Sequence, residues 1–169
     1  VLIRKAEFTD EIMVVLVTAS PVFPSKRNFV EALRREHPEI TTVVQNINDR
    51  TDSLVLGSKY QVLWGKGYIV DRLCGCSFKI SPGSFYQVNP IQAQKLYEKA
   101  IELADLTGKE TVVDAYCGTG TIGMIAAKKA GKVFGVESNP DAVRDAVGNA
   151  KANDVKNIRF YREDAELCS

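Results

Sequence analysis

One stretch of the sequence, residues 111–123, constrains the fold more than any other. It begins with an apolar, β-branched run, reaches an acid at Asp114, and then breaks into glycines at Gly118, Gly120 and Gly123. A run of this kind followed by a helical pattern predicts a buried parallel strand, a tight loop and a helix N-terminus. Glycines allow positive φ and close approach of the backbone, and the free N–H groups of the new helix face whatever lies there. The junction therefore predicts a site for an anionic or carboxylate-bearing cofactor.

Composition sets broad limits on the rest of the chain. Its 169 residues suit one large domain or two small ones, and 45% hydrophobic with 25% charged residues is typical of a globular protein. No apolar run approaches the roughly 20 residues of a membrane span, and the first residues do not form a secretion signal. We therefore expect a cytoplasmic protein with no membrane partner. The net charge of +1 gives no basic excess of the kind that grips nucleic acid by charge alone.

The four cysteines do not form a metal-binding pattern. Cys74 and Cys76 have one residue between them, and Cys117 and Cys168 stand alone, with no histidine at a suitable spacing. We predict reduced cysteines buried as small apolar residues, and no metal site.

The first part of the chain, residues 1–81, is predicted to be a small α+β domain. Ile12–Thr18 is typical of a buried strand, and Ser25 can cap a helix that runs up to Pro38. Short β-branched and aromatic runs between turn glycines then predict antiparallel strands. These runs are Thr41–Asn48, Leu54–Leu56, Tyr60–Trp64, Tyr68–Val70 and Ser77–Ile80.

Residues 82–169 alternate between helix and strand patterns. Asn89-Pro90 and Asn139-Pro140 each place a capping residue before a proline at the first helical position. The helix after the glycine loop is predicted to reach about Lys129, and Val133–Val136 and Ile158–Tyr161 are predicted strands. The alternation predicts an α/β fold with a parallel, doubly wound sheet that binds its ligand at the carboxyl ends of the strands. Three strands are few for such a sheet, so we expect a fragment of a longer protein.

Two cofactors compete for the glycine loop. The spelling G-x-G-x-x-G and an acid at Glu137, 137 − 118 = 19 residues after Gly118, fit a dinucleotide site. However, Asp114 at the end of the strand would repel a pyrophosphate and suits a cofactor with an ammonium or sulfonium group, as in S-adenosylmethionine. Glu137 serves the ribose hydroxyls in either case. Asp164, after the third strand, is either an acceptor for an adenine amino group or a solvated loop residue.

Two motifs taken together resemble one family. Residues 81–89 read S-P-G-S-F-Y-Q-V-N and residues 114–121 read D-A-Y-C-G-T-G-T, with a predicted helix between them. This order resembles the RNA uracil-C5 methyltransferases, particularly the bacterial enzymes that act on 23S ribosomal RNA. The resemblance covers nearly the whole chain and implies a partial Rossmann-like, class I methyltransferase domain at 82–169, preceded by the family's central domain at 1–81.

The resemblance also implies residue roles. Gln87, Tyr116, Thr121, Glu137 and Asp164 are expected to contact S-adenosylmethionine. With the residues found from the pattern, the predicted cofactor site is Gln87, Asp114, Tyr116, Gly118, Gly120, Thr121, Glu137 and Asp164. RNA is the expected partner, ribosomal RNA before transfer RNA.

The family's chemistry needs more than this site. In that chemistry a cysteine thiolate adds to carbon 6 of uracil, and carbon 5 then takes the methyl group. A base removes the carbon 5 proton and the cysteine leaves as thiolate. In the family the cysteine and the base follow an Asp-Pro-Pro motif, which this sequence does not contain. We therefore assign no catalytic residue here, place those groups beyond Ser169, and expect the fragment alone to be inactive. Cys117 lies inside the cofactor loop and is expected to have a packing role.

Two further hypotheses stay open at this point. Lys26, Arg27, Arg34 and Arg35 can cluster on one helix with Phe29 and Trp64 available for stacking, which indicates either RNA contact or an ordinary solvated helix face. The missing nucleophile also allows a non-catalytic RNA-binding module that keeps a vestigial cofactor fold.

Overall fold

The computed structural model describes residues 1–164, which form nine strands and four α-helices. Two compact units are present. The first comprises Val1–Asp71 and Ser81–Gly83, and the second comprises Arg72–Ile80 and the chain from Ser84 onward. The segment 72–80, which the sequence pattern groups with the first domain, thus packs with the second unit.

The first unit contains a four-stranded mixed sheet in the order β1-β2-β3-β4. Its elements are β1 (Leu2–Lys5), β2 (Ile12–Thr18), α1 (Lys26–Glu36), β3 (Ile40–Ile47) and β4 (Lys59–Trp64). The β2 strand and the helix after it were predicted, whereas β1 was not. Apolar side chains of β2, β3 and α1, among them Val14, Val30 and Val43, form a shared core.

The prediction of antiparallel strands is confirmed for β3 and β4. The β3 strand also pairs with β2, in parallel, because α1 carries the chain back across the sheet before β3 begins. Two local predictions in this unit are wrong. Leu54–Leu56 is not a strand, since the Asn46 side chain both donates to the Gly57 carbonyl (2.9 Å) and accepts from its N–H (2.8 Å) in place of a ladder. Ser25 precedes α1 in a left-handed conformation (φ 57°) and makes no side-chain capping bond.

A two-stranded sheet of β5 (Ile69–Leu73) and β6 (Cys76–Ile80) follows, and the division between the units falls within β5. The second unit then contains α2 (Pro90–Leu103), β7 (Thr111–Ala115), α3 (Thr121–Ala127), β8 (Lys132–Glu137), α4 (Pro140–Ala152) and β9 (Ile158–Arg162). Helix α3 ends two residues before the predicted Lys129.

The three-stranded sheet of the second unit is parallel, as predicted, and its strand order is β7-β8-β9. Both predicted asparagine caps are confirmed: Asn89 accepts from Gln92 N–H (3.1 Å) and Asn139 from Asp141 N–H (2.9 Å). One face of the sheet is buried through Val133 and Ile158 against the alanine-rich helices.

The opposite face of this sheet, with Val113 63% and Tyr161 45% exposed, carries no helix within residues 1–164. The described part is thus wound on one side of the sheet, where the sequence pattern predicted helices on both. In the same part of the chain, no helix is both long and apolar enough to cross a bilayer.

Candidate cofactor site at the end of strand β7

The loop between β7 and α3 is a tight turn of residues 116–120. Tyr116, Gly118 and Gly120 all have positive φ, at 60°, 55° and 80°. A Cβ at Gly120 would lie 2.7 Å from the Phe160 ring, whereas a Cβ at Gly118 would meet nothing within 4 Å. Packing therefore requires a glycine at 120, and Gly118 faces open space. Tyr116 holds the strained conformation without being a glycine and is 66% exposed, which is typical of a functional position.

Asp114 anchors this loop from the end of β7. Its Oδ2 accepts a hydrogen bond from the Gly123 N–H (2.8 Å), at the first turn of α3. A Cβ at Gly123 would lie 3.0 Å from the same oxygen, so the glycine lets the helix come this close to the strand. Burial raises the pKa of the Asp114 carboxyl, and the Gly123 N–H only partly offsets this. Within residues 1–164 no other group donates to this carboxylate, which leaves it suited to a cationic ligand group.

Glu137 performs a similar task from the end of the neighbouring strand β8. Its Oε2 accepts from the Gly118 N–H (3.0 Å), and its Oε1 accepts from the Asn139 N–H (2.8 Å). The carboxylate thus ties the glycine loop to the start of α4. Carboxylate oxygens have further lone pairs, so Glu137 can also accept from ligand hydroxyls.

A cleft of about 130 Å³ in the second unit gathers most of the predicted site. The predicted residues that line it are Gln87, Asp114, Tyr116, Gly118 and Thr121. Gly120 and Glu137 do not line it. Gly120 lies against the Phe160 ring, and Glu137 accepts a hydrogen bond from the Gly118 N–H of the loop. Asp164 is exposed, lies beyond the end of β9 and does not line the cleft, so its adenine contact stays a prediction.

Tyr97, Phe85 and Ile122 also line the cleft and were not predicted as site residues. Tyr97 is 5% exposed on the buried face of α2, and its hydroxyl lies near the Gln87 side chain. Burial raises the pKa of this hydroxyl, with Asp114 as a further cause. The sequence did contain one indication of Tyr97: it is a tyrosine on the apolar face of α2, and a buried hydroxyl group needs a hydrogen-bond partner.

Cys117 is poorly suited to act as a nucleophile. It lines the cleft but is only 7% exposed, and burial, followed by the charges of Asp114 and Glu137, raises the pKa of the thiol to about 12. The reactive species is the thiolate, which is negligible at neutral pH for such a group. The structure thus agrees with a packing role.

Two polar residues of α4, Asp145 and Asn149, form a stripe on one face of the helix. This α4 stripe hydrogen-bonds both the segment before Gln87 and the glycine loop. The Ser84 hydroxyl donates to Asp145 Oδ2 (2.7 Å), where Asp145 is 2% exposed. Asn149 accepts from the Lys79 N–H (2.7 Å) through Oδ1 and donates to the Thr119 carbonyl (3.3 Å) through Nδ2. Asp145 and Asn149 are four residues apart, so the sequence alone indicates that they lie on one face of the helix.

The donor set fits one of the two cofactor classes considered above. A half-buried carboxylate at Asp114 favours an ammonium or sulfonium group and opposes a pyrophosphate at the same point. Glu137 offers acceptors for ribose hydroxyls, and the exposed Tyr116 ring offers a surface for an apolar or cationic group. The site therefore fits S-adenosylmethionine better than a dinucleotide.

Comparisons with known proteins point the same way. Residues 106–169 match a family model described as a methyltransferase domain. The chain is 43% identical over 166 residues to an uncharacterized RNA methyltransferase of Oceanobacillus iheyensis, covering 98% of this chain and 36% of that protein. It is 48% identical over 158 residues to an uncharacterized RNA methyltransferase of Caldanaerobacter subterraneus, covering 94% and 35%. The chain is thus similar over nearly its whole length to proteins named as RNA methyltransferases. It spans little more than a third of the length of these curated relatives.

A solved structure extends the similarity to three dimensions. The Pyrococcus abyssi tRNA (uracil-54, C5)-methyltransferase, crystallised with S-adenosyl-L-homocysteine, superposes with a TM-score of 0.76 at 30% identity. The alignment covers 94% of this chain and 37% of that protein. The match includes both compact units, because 94% coverage cannot be reached within either one.

Proposed function

We propose that the full-length protein methylates carbon 5 of uridine in RNA with S-adenosylmethionine as the methyl donor. The observation that carries this proposal is the similarity, at 30% identity over 94% of the chain, to a tRNA uracil-C5 methyltransferase crystallised with S-adenosyl-L-homocysteine. The fitting donor set at Asp114 and Glu137 supports the cofactor independently of that similarity.

In this proposal the described residues bind and orient the cofactor. When bound, S-adenosylmethionine supplies an electrophilic methyl group on a sulfonium. Asp114 attracts the cationic groups, Glu137 accepts from the ribose hydroxyls, and Gln87, which lines the cleft with Tyr97, hydrogen-bonds the amino-acid end through its amide. Thr121 and the loop glycines leave room for close approach, and Asp164 is proposed to accept from the adenine amino group.

Uracil carbon 5 is a poor nucleophile, so the reaction needs a thiolate that adds to carbon 6 and a base that later removes the carbon 5 proton. Cys117 does not supply the thiolate, because its thiol stays protonated at neutral pH. We propose that both groups come from outside these 169 residues and that the 169-residue chain alone transfers no methyl group.

The RNA substrate is the finer part of the proposal. The motifs at 81–89 and 114–121 resemble the ribosomal RNA enzymes most, which favours 23S ribosomal RNA. Transfer RNA is the second candidate, because the Pyrococcus abyssi protein is a tRNA methyltransferase.

A methylation assay tests the proposal directly. The full-length protein would be incubated with S-adenosylmethionine and either unmodified ribosomal RNA or unmodified transfer RNA, and the digested nucleosides analysed by mass spectrometry. We expect 5-methyluridine from ribosomal RNA. The same product from transfer RNA alone would replace the substrate, and its absence from both would reject the reaction.

A further inference from the structure

The first unit contains a groove that the cofactor site does not explain. It lies between α1 and β4, has a volume of about 240 Å³, and is lined in part by Lys26, Arg27, Glu31, Arg34, Gln61 and Trp64. Three cations and one carboxylate therefore face the same space. Resting on the proposed function, we propose that this groove binds the phosphodiester backbone of a single-stranded RNA segment.

The cations of the groove retain their charge. Within residues 1–164, Lys26, Arg27 and Arg34 make no ion pair with a carboxylate, although Glu31 lies in the same groove. The Lys26 ammonium donates to Gln61 Oε1 (3.3 Å), and a neutral amide orients the ammonium without neutralising it. These positive charges are therefore available to an anion.

Arg34 and Trp64 add a feature that separates this groove from an ordinary basic helix face. The Arg34 guanidinium lies over the Trp64 ring, 3.9 Å from its centroid. A cation–π contact uses the face of the guanidinium and leaves its in-plane N–H donors for a phosphate, which they can bind in a bidentate manner. Trp64 itself is only half-buried, because it packs at the edge of the core.

The mixture of charges and an aromatic ring favours RNA over an acidic peptide. Proteins that bind single-stranded nucleic acids combine a positive groove for the backbone with aromatic rings near the bases. A carboxylate-rich peptide could bind the same charges, but the similarity of the chain to proteins named as RNA methyltransferases favours RNA. Arg35 serves as an internal reference, because it is adjacent in sequence, bonds to Glu36 Oε1 (3.1 Å) and does not line the groove.

The test compares charge reversals at Arg34 and Arg35 in the full-length protein. Binding of a fluorescently labelled single-stranded RNA of about 16 nucleotides would be measured by anisotropy over a series of salt concentrations. We expect Arg34→Glu to weaken binding by about tenfold and Arg35→Glu by less than about twofold. The slope of log Kd against log salt should fall by about 0.7 for each phosphate that a variant no longer binds.

Arg27→Glu gives a second variant whose side chain is exposed, so it keeps the test valid if Arg34→Glu does not fold. It should lose RNA affinity in the same way while its S-adenosylhomocysteine affinity stays that of the wild type. Equal losses of RNA affinity in Arg34→Glu and Arg35→Glu, or no loss in Arg27→Glu, would contradict the proposal that the groove binds RNA.

A polyglutamate competitor tests the other class of partner. Polyglutamate and RNA are compared at the same total negative charge. If polyglutamate displaces the RNA and its own binding is weakened as much by Arg34→Glu, the groove binds acidic polymers in general and the RNA proposal is wrong. Failure of the groove is distinguishable from failure of the proposed function. A wild-type protein that forms 5-methyluridine while the groove variants bind RNA normally would reject the groove alone.

Discussion

The two units contain the same supersecondary structure with opposite chemistry at the helix start. In the first unit β2, α1 and β3 form a parallel crossover, and in the second β7, α3 and β8 form another. The turn before α3 is a short glycine loop, whereas the turn before α1 contains Pro21 and Pro24 and no glycine. The topology alone therefore does not define a cofactor site.

The groups at the two helix starts make the difference. Helix α3 receives a half-buried carboxylate, Asp114, from the strand before it, while α1 begins with two cations, Lys26 and Arg27, and has no acid in its first turn. A carboxylate favours a cationic ligand group and cations favour a phosphate. The crossover in the second unit is thus suited to the methyl donor, and that in the first to an anion.

The tightness of the β7–α3 turn gives the largest expected effect. Gly120→Ala should lower the free energy of unfolding by about 3 kcal/mol, because alanine disfavours positive φ and its Cβ would lie 2.7 Å from the Phe160 ring. Gly148→Ala is the matched control: it lies inside α4 with nothing within 4 Å of the new Cβ, and should raise stability by about 0.5 to 1 kcal/mol. Urea unfolding measures both, and equal effects would contradict this description of the loop.

Removal of the Asp114 charge should weaken S-adenosylhomocysteine binding by about 30-fold, because the variant cannot make a charge-assisted hydrogen bond to the ligand. Asp114→Asn keeps the shape and an oxygen that can accept from Gly123 N–H. Asp154→Asn, at an exposed ion pair with Lys156, controls for a general change of charge. Isothermal titration should separate the two variants. Wild-type affinity in Asp114→Asn would contradict the claim that the carboxylate at the start of α3 binds the cofactor.

Glu137→Gln should weaken the same binding by about tenfold, less than Asp114→Asn, because an amide oxygen can still accept from the Gly118 N–H or from one hydroxyl. Glu98→Gln, an exposed change on α2, serves as its control. A loss larger than that of Asp114→Asn would reverse the ranking of the two carboxylates.

The pH dependence of binding follows from burial of Asp114. Because its pKa is raised above the ordinary 3.8, the carboxylate takes up a proton at a higher pH than an exposed aspartate does. S-adenosylhomocysteine affinity should therefore fall as the pH drops through this raised pKa, and Asp114→Asn should lack this part of the fall. The same shift makes the unliganded wild type lose stability relative to Asp114→Asn as pH rises from 3.8 through the raised pKa. Thermal unfolding at several pH values checks that sign.

The smallest effect is expected at the start of α1. Ser25→Ala should change stability by less than about 0.5 kcal/mol, since Ser25 makes no side-chain capping bond. Asn89→Ala, which removes a real cap at α2, should cost about 1 kcal/mol. Similar losses in both would indicate that Ser25 caps α1 after all.

The sequence predicted the second unit better than the first, for a physical reason. The alternation of β7, α3, β8, α4 and β9 is local, and strong signals such as Asn89-Pro90 mark where helices begin. In the first unit, short runs such as Leu54–Leu56 are ambiguous, because the sequence pattern does not show which of them pair with a neighbouring strand.

The cofactor site shows the same limit. Asp114 and Glu137 could be found because they end strands beside a glycine loop. Tyr97 and the α4 stripe at Asp145 and Asn149 could not be assigned to the site, because their roles arise only when α2 and α4 pack beside that loop. Helical spacing indicated a buried face but not what that face holds.

The central claim is that the half-buried carboxylate of Asp114, near the end of β7, selects a methyl donor over a dinucleotide. The most direct measurement is isothermal titration of the full-length wild-type protein with S-adenosylhomocysteine and, separately, with NAD. We predict saturable binding of S-adenosylhomocysteine and none of NAD at the same concentrations. NAD binding as tight as that of S-adenosylhomocysteine would contradict the claim.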